Sequence, residues 1–189
     1  MEFISDHKTV DLLSSNDPKR PQDLLLRFAW SFFSFLIFSA PGRRFSQFRV
    51  LILRIFGAKI GEKVLICSGV HVWFPWNLEI GDCSAIGRSV EIYNYGRVTI
   101  GSNTVISQYS YLCTASHDYN SRSFDFFAKP IVIGNFAWIA AYTLLLPGVC
   151  VGDGSVIGAR SLVTKNVSPW MVYAGHPCAP IKPREIHSI

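Results

Sequence analysis

The sequence predicts an all-β solenoid, a parallel β-helix with an N-terminal helical, hydrophobic segment and one loop extruded from its wall. Three observations support this fold class. An aliphatic residue recurs every six positions from Ile60 onward, the next position is often Gly, and the rhythm stops once, from about residue 118 to 129. A short, fixed repeat is typical of solenoids, because each coil buries its apolar side only by stacking on its neighbours.

Length and composition indicate the number of domains and the classes of partner that the chain can have. The chain has 189 residues, of which 49% are hydrophobic and 16% are charged, and its formal net charge is +5. This fits one domain with a small appendage and disfavours global disorder. The positive charge suits an anionic ligand, a phosphorylated cofactor or an anionic membrane surface, and it does not choose among them. Lys and Arg are scattered and no nucleic-acid-binding motif occurs, so no nucleic acid is expected as a partner.

Residues 1–57 are predicted to form an N-terminal extension with short apolar helices. The uncharged run from Phe28 to Pro41 is shorter than the about 20 apolar residues that a spanning helix needs. Two interpretations remain open for residues 22–56. The helices pack on the main domain or on a neighbouring subunit, or they form a monotopic anchor with Arg side chains at lipid phosphates.

The cellular setting is predicted from the first residues and the cysteines. The start of the sequence lacks the basic-then-apolar order of a secretory signal, and the five cysteines contain no CxxC pair. We therefore expect a reduced, cytoplasmic location, which would be the inner face of the cytoplasmic membrane if the segment is an anchor.

Residues 58–168 are predicted to form the β-helix. They divide into hexads such as IGDCSA IGRSVE IYNYGR, with Ile, Leu or Val first and a small or β-branched residue usually fifth. Three hexads would make one triangular coil, so that each first side chain points inward and stacks on a counterpart roughly 18 residues later. Gly at the second position is expected to suit a tight corner. A β-sandwich of many short strands is disfavoured, because it would not impose such a position-specific rule.

The stretch YLCTASHDYNSRSFDFFAKPIVIG, residues 111–134, interrupts this pattern. We expect an extruded loop at residues 118–130, after which Ile131 and Ile133 restart the wall. His117 is the last residue of the hexad that precedes the loop. Such loops often carry function in an otherwise regular scaffold. Residues 169–189 are predicted to be a C-terminal tail.

Several motifs resemble those of the hexapeptide-repeat acyltransferases, and the resemblance covers residues 58–182. The segments ASHDY, KPIVIGNFAWIAA, LLPGVCVGDGSVIGARSLVTKNV and VYAGHPCAPIK are similar to the acetyl-CoA-dependent O-acetyltransferases of the maltose, galactoside and nodulation-factor group. The pattern FPWNLEIGD…IYNYG…VTIG…YLCTASHDY resembles the colanic-acid, or exopolysaccharide, branch. The resemblance implies left-handed coils, against the usual crossover rule, together with a homotrimer, acetyl-CoA as co-substrate and no required metal.

The resemblance also implies that His117 is the catalytic base. A sugar hydroxyl must lose a proton as it attacks the thioester carbonyl, and a histidine titrating near neutral pH suits this task. The thioester is already activated, so no acyl-enzyme is expected. Cys113 and Cys150 have no evident paired base, which disfavours them as acyl carriers. Asp118 either lines the acceptor pocket or holds the loop.

The remaining site residues follow from matching positions in the family, which places the cofactor groove between neighbouring solenoids. The residues expected to bind the cofactor are Trp138, Ala140, Ala141, Ala159, Thr164, Lys165 and Lys182. Those expected to bind the acceptor are Glu91, Tyr93, Asn94 and Asp118. The histidines do not occur as three coil-related ligands, which disfavours a zinc site, and no GxGxxG or GxxxxGK[ST] motif occurs.

The sequence therefore predicts an acetyl-CoA-dependent O-acetyltransferase. Its acceptor is expected to be a sugar hydroxyl in an exopolysaccharide, colanic-acid-like, or in a lipid-linked saccharide precursor, with peripheral membrane association. A soluble sugar or an antibiotic is the alternative acceptor. A non-catalytic scaffold is the third possibility, and it explains neither the extruded loop nor Lys165.

Overall fold

The chain folds into a parallel β-solenoid with three flat faces, preceded by two helices. The computed structural model describes residues 9–15, 24–39 and 42–187. The other parts of the predicted extension and tail, residues 1–8, 16–23, 40–41 and 188–189, lie outside the described residues. Helix α1 spans Leu24–Ser39 and helix α2 spans Ser46–Ile55. Short 3-10 turns occur at Leu12–Ser14, Arg43–Phe45 and Pro75–Asn77.

Each coil of the described solenoid contributes one strand to each face. The first three coils contain β1 (Lys59–Ile60), β2 (Leu65–Ile66), β3 (His71–Val72), β4 (Leu78–Ile80), β5 (Ala85–Ile86), β6 (Glu91–Tyr93), β7 (Val98–Ile100), β8 (Val105–Ile106) and β9 (Tyr111–Cys113). The strands that follow are β10 (Ala115–His117), β11 (Phe126–Ala128), β12 (Ile131–Ile133), β13 (Trp138–Ile139), β14 (Leu144–Leu145), β15 (Cys150–Val151), β16 (Val156–Ile157), β17 (Leu162–Val163), β18 (Met171–Gly175) and β19 (Cys178–Pro183).

The three faces are three separate sheets. Face 1 has the order β1-β4-β7-β12-β15, and face 3 has the order β3-β6-β9-β14-β17. Face 2 has the order β2-β5-β8-β13-β16-β18-β19. Every pairing between successive coils is parallel. The predicted all-β hexapeptide solenoid with an N-terminal helical segment is thus confirmed, and its architecture is that of the left-handed β-helices.

The core is built from the first and fifth hexad positions, as the repeat predicts. Ile86, Ile106 and Ile139, all first positions on face 2, are fully buried, and Thr104 and Thr143, both fifth positions, are buried as well. The coil length varies, however. Partners lie 20 residues apart where a two-residue step such as Leu78-Glu79 lengthens the coil, and 18 apart where it is missing. The expected 18-residue spacing therefore holds only between the last two complete coils.

Glycine at the second hexad position has a different role from the expected one. A Cβ on Gly101 would lie 2.6 Å from the backbone N of Asn135, and one on Gly81 would lie 2.6 Å from that of Ser102. The left-handed backbone conformation falls at the fourth position instead, for example at Asn103 with φ of 54°. The second-position Gly therefore permits close stacking of successive coils, while the fourth residue makes the turn.

The two helices cover the first coil. The indole Nε1 of Trp30 in α1 donates a hydrogen bond of 2.7 Å to the carbonyl of Val72. In α2, Ser46 Oγ accepts a bond of 2.8 Å from the backbone N of Ile66, and the buried Arg49 donates to the carbonyl of the same residue. The helices thus supply the cap that the open end of a solenoid requires. Among the described residues, no helix combines the length and the apolar character needed to cross a membrane.

The interruption between coils three and four is more ordered than a loop. Strands β10 and β11 form an antiparallel hairpin in which His117 lies opposite Phe126. The chain thus leaves the wall at Ala115, earlier than the predicted boundary at 118, because residues 115–117 find their partners in the hairpin. Ile131 resumes the wall as predicted. The predicted C-terminal tail also contains a hairpin, in which β18 extends face 2 and β19 pairs with it antiparallel.

Candidate active site

His117 is half-buried in the first strand of the hairpin. Its Nδ1 lies 2.9 Å from the carbonyl oxygen of Phe124. A carbonyl can only accept a hydrogen bond, so Nδ1 must be the protonated ring nitrogen in this contact. The other nitrogen, Nε2, then keeps its lone pair and can accept a proton, as a general base must.

Two phenylalanine rings fix the plane of this imidazole. The ring of Phe124 stacks on it with centroids 4.5 Å apart and an angle of 9°. The ring of Phe126 meets it edge-on at 5.5 Å and 80°. His117 is therefore held on one nitrogen and on two sides by the hairpin that carries it.

Asp118 lies in the turn of the hairpin. Its Oδ1 accepts a bond of 2.9 Å from the backbone N of Asn120, and its own backbone N donates to the carbonyl of Asp125 at 2.8 Å. The side chain is exposed. Because Nδ1 of His117 already pairs with Phe124, these contacts place Asp118 among the residues that shape the turn and not as the partner of the imidazole.

A row of aromatic side chains extends from His117 across face 3. We call Trp73, Tyr93, Tyr95 and Phe126 the aromatic trough. Its rings meet at centroid distances of 4.8 Å between Trp73 and Tyr93, 5.1 Å between Tyr93 and Tyr95, and 4.9 Å between Tyr95 and Phe126. Since Phe126 also contacts His117, the trough leads directly to the imidazole.

Glu91 lies at the edge of the aromatic trough. Its Oε1 accepts a bond of 3.2 Å from the indole Nε1 of Trp73 and lies 3.8 Å from Nδ1 of His71. The neighbouring Tyr111 is half-buried on β9, and burial, with smaller contributions from Cys113 and Glu91, raises the pKa of its phenol. A carboxylate, indole and phenols on one surface are typical of sites that hold sugars.

Asn94 does not join this surface. It is 0% exposed, and its Oδ1 accepts a bond of 3.0 Å from the backbone N of Phe74 while its Nδ2 donates one of 2.7 Å to the carbonyl of the same residue. Both halves of the amide are thus used inside the protein. The structure brings Tyr93 into the trough and Glu91 to its edge, and it buries Asn94 behind them.

Sequence reasoning missed three residues of the site, two that contact His117 and one, Tyr95, that contacts Phe126. Phe124, Phe126 and Tyr95 fall outside the first and fifth hexad positions, and the first two lie in the interruption, where the repeat gives no information. The signal that was available is the density of aromatic residues in IYNYG and in SFDFF.

Four of the residues predicted to bind a cofactor lie along one edge of the solenoid. Trp138 stands half-exposed on face 2, and its Nε1 donates a bond of 3.0 Å to Ser107 Oγ. Ala140 and Ala141 form the corner that follows, and Ala159 occupies the same corner one coil later.

The other three predicted cofactor residues lie near the C-terminal hairpin. Thr164 and Lys165 line a cavity of about 450 Å³, which the hairpin closes with residues that include Tyr173 and Cys178. Lys182 is exposed on β19. Two lysines and a hydroxyl in this region can bind phosphate groups through charge and hydrogen bonding.

The two groups of site residues lie apart within one chain. Trp138 on face 2 pairs in register with Val105, and His117 lies twelve residues after Val105, in the hairpin that follows face 3. Two corners and face 3 therefore separate the indole from the imidazole. Within residues 9–15, 24–39 and 42–187, no group of three or more His, Cys, Asp or Glu side chains could hold a metal ion.

The chain is similar to several known proteins. Residues 130–165 match the family model described as bacterial transferase hexapeptide (six repeats). The chain is 46% identical over 138 residues to the Escherichia coli (strain K12) protein named "Putative colanic acid biosynthesis acetyltransferase WcaF", a match that covers 73% of this chain and 76% of that protein. It is 35% identical to the galactoside O-acetyltransferase of the same organism, over 66% of this chain and 63% of the relative.

A solved structure has the same architecture. The hexapeptide-repeat acetyltransferase VCA0836 of Vibrio cholerae O1 biovar eltor, crystallised in complex with acetyl coenzyme A, superposes with a TM-score of 0.80 at 25% identity. The match covers 90% of this chain and 93% of that one.

Proposed function

Since the chain belongs to the hexapeptide-repeat acetyltransferases, and so acts with acetyl-CoA, we propose that it acetylates a saccharide hydroxyl with His117 as general base. The observation that carries the proposal is the 2.9 Å contact between Nδ1 of His117 and the carbonyl of Phe124. This contact leaves Nε2 as the free basic nitrogen beside the aromatic trough.

The proposed reaction is a direct transfer. Nε2 of His117 takes the proton of the acceptor hydroxyl as its oxygen bonds to the thioester carbonyl carbon. When the tetrahedral intermediate collapses, the carbon–sulfur bond breaks and the imidazolium gives its proton to the departing thiolate of CoA. The base ends the cycle neutral, and no covalent enzyme intermediate is needed.

The acceptor is proposed to lie along the aromatic trough. Tyr93 and Trp73 offer ring surfaces for a sugar, and Glu91 offers a carboxylate for its hydroxyl groups. The relative named for colanic acid biosynthesis favours a polysaccharide or its precursor as the acceptor class. Acetyl-CoA is proposed to extend from Trp138 and the alanine corner towards the phosphate-binding groups Thr164, Lys165 and Lys182.

The complete site is proposed to form between copies of the chain in a homotrimer. Within one chain, Trp138 stands on face 2, whereas His117 lies in the hairpin that leaves the wall after face 3. We therefore expect that one copy does not present both side chains to the same thioester. Three prisms around a threefold axis place the corner of one copy against that of the next. Each groove would then take His117 from one subunit and Trp138 from its neighbour.

Release of CoA thiol in the presence of a glycan acceptor tests the base. We expect His117→Ala to lower turnover by about 10²–10⁴-fold, the usual contribution of a general base, with CoA binding intact. His187→Ala is the matched control, since His187 is exposed near the end of the described chain. Unchanged turnover in His117→Ala would refute the assignment.

Mixed subunits test whether the site is shared. The variants His117→Ala and Trp138→Ala are each expected to be weakly active or inactive alone. If a groove takes one residue from each neighbour, random 1:1 co-assembly restores both in about one groove in four, so activity should reach roughly a quarter of wild type. Failure of the mixture to exceed either variant would show that one chain supplies both residues.

The helices are further proposed to dock on an anionic lipid surface. Leu25, Phe28 and Phe35 recur at helical spacing on α1, and their exposed fractions are 87%, 79% and 74%. Phe48 and Ile55 are exposed in the same way on α2. No Asp or Glu occurs between residues 24 and 61, whereas six Arg or Lys do. An apolar face flanked by cations is typical of helices that lie in the membrane interface.

Flotation with vesicles tests this surface. We expect binding to vesicles containing anionic lipid and weaker binding to zwitterionic ones. The double variant Phe28→Ser/Phe35→Ser should lose it, while Tyr119→Ser, which changes an exposed aromatic residue in the hairpin turn, should retain it. Equal flotation of the double variant would refute the role of α1. If the wild-type protein does not bind, a soluble sugar or antibiotic acceptor is favoured.

A further inference from the structure

Phe124 has an unusual backbone conformation for its position. Its φ is 50°, in the left-handed region that a bulky L-residue adopts only when its surroundings compel it. Among the described residues, the other non-glycine residues with positive φ lie at corners of the coiled wall, where stacked neighbours hold them. Phe124 lies in the hairpin turn, so its conformation needs a support of its own.

Three polar side chains supply this support. The two carboxylate oxygens of Asp125 accept one hydroxyl each, from Ser121 Oγ at 2.6 Å and from Ser123 Oγ at 2.7 Å. The two hydroxyl groups also lie 2.9 Å from each other. We call Ser121, Ser123 and Asp125 the loop latch. All three are half-buried, which strengthens these charge-assisted bonds relative to an exposed site.

Backbone hydrogen bonds of loop-latch residues hold the chain before and after Phe124. The backbone N of Phe124 donates to the carbonyl of Ser121 at 3.1 Å, and the carbonyl of Asp125 accepts from the backbone N of Asp118. These bonds leave the carbonyl of Phe124 free to point at His117 Nδ1, while its ring stacks on the imidazole.

We propose that Asp125 is a positioning residue for the general base, acting with Ser121 and Ser123 through the backbone of Phe124. The loop latch keeps that carbonyl on Nδ1 of His117, so the proton stays on Nδ1 and the lone pair stays on Nε2. Without it, the turn relaxes, Nδ1 loses its acceptor, and the imidazole also populates the tautomer with Nε2 protonated. That tautomer cannot accept the hydroxyl proton. This inference rests on the proposed role of His117.

The tautomer can be measured without catalysis. In protein labelled with ¹⁵N-histidine, the signals of His117 are identified by their loss in His117→Ala. We expect wild type to show a protonated Nδ1 and an unprotonated Nε2, and Asp125→Ala to show a mixture of the two forms. In the same variant, kcat should fall about tenfold or more, a part of what a general base contributes, with KM for acetyl-CoA and the melting temperature unchanged.

Further variants distinguish the effect of losing a hydroxyl hydrogen bond from the effect of disturbing the hairpin in general. Ser121→Thr keeps the hydroxyl and should retain the wild-type tautomer and kcat, whereas Ser121→Ala should shift both in the direction of Asp125→Ala. Arg122→Ala is the control in the same turn, because its side chain is exposed and lies outside the loop latch. It should behave as wild type.

Two results would overturn the inference. A wild-type tautomer and a kcat within twofold of wild type in Asp125→Ala would show that Phe124 keeps its place unaided. Unchanged turnover in His117→Ala would overturn the assigned base and, with it, the catalytic meaning of the loop latch. The ¹⁵N spectra distinguish the two failures, since they report the tautomer whichever residue takes the proton.

Discussion

Replacing Asn94 with Ala separates a structural role from a role in acceptor binding. The sequence predicts that Asn94 binds the acceptor, whereas the structure buries it completely with both polar ends on the backbone of Phe74. Alanine removes both bonds. The N–H of Phe74 is then left without a partner behind the aromatic trough, whereas its carbonyl still accepts a bond of 2.9 Å from the backbone N of Asn77.

The expected cost follows from these two bonds. A buried N–H that loses its partner costs about 1–3 kcal/mol, and the carbonyl, which keeps another partner, loses one bond worth about 1 kcal/mol. The substitution should therefore lower the free energy of unfolding by about 3 kcal/mol. For a chain of this size each kcal/mol shifts the melting temperature by about 2–4 °C. Asn94→Ala should therefore melt about 6–12 °C below wild type.

Thermal unfolding followed by circular dichroism measures this effect, and CoA release measures activity at a temperature where the variant is folded. Asn166→Ala is the matched control, because its Oδ1 makes one exposed bond of 2.9 Å to the backbone N of Cys150. Its loss should cost about 1 kcal/mol or less. A wild-type melting temperature for Asn94→Ala, combined with a raised KM for the acceptor, would refute the structural role.

Three further predictions concern stacking, cofactor binding and pH. Gly101→Ala places a Cβ 2.6 Å from the backbone of the next coil and should lower the unfolding free energy by about 1–3 kcal/mol; an unchanged melting temperature would contradict the close-stacking explanation. Lys165→Glu should raise KM for acetyl-CoA about tenfold by replacing an attractive charge with a repulsive one, whereas Lys63→Glu, in the first coil, should not. A hydrogen bond from Lys59 lowers the pKa of Glu79 below its ordinary value of 4.5. The stability that this carboxylate contributes is present above that value and is lost as pH falls through the lower folded pKa. The melting temperature of Glu79→Gln should therefore vary less with pH below about 4.5 than that of wild type, and an identical acid profile would exclude this contribution.

Much of the wall could be predicted from the sequence because each hexad obeys a local rule. The aliphatic first residue and the small fifth residue, such as Ile106 and Ser110, point into the prism, so one rule places most of the solenoid core. The repeat did not predict the role of the second-position Gly. Its close approach to the backbone of the next coil is a distance between residues far apart in sequence, and the pattern alone suggested a turn instead.

The candidate site depended more on tertiary contacts. The position of His117 at the interruption is visible in the sequence, because the repeat stops there. Its partner Phe124 is not, since the interruption has no period and the contact is made by a backbone carbonyl, which any residue type could supply. Asn94 was misplaced for a related reason. The sequence does not show whether the Asn94 side chain points inward or outward, and only the fold orients it inward.

The sequence by itself determined the solenoid, its stacked core and the place where the wall opens, because these follow from short repeats of residue type. Only the tertiary structure decided how the opening is used. It paired residues 115–117 with 126–128 and brought the loop latch around Phe124. It also set Trp138 on face 2 and His117 in the hairpin that follows face 3. Such features arise from distances and directions between segments, which a linear pattern does not contain.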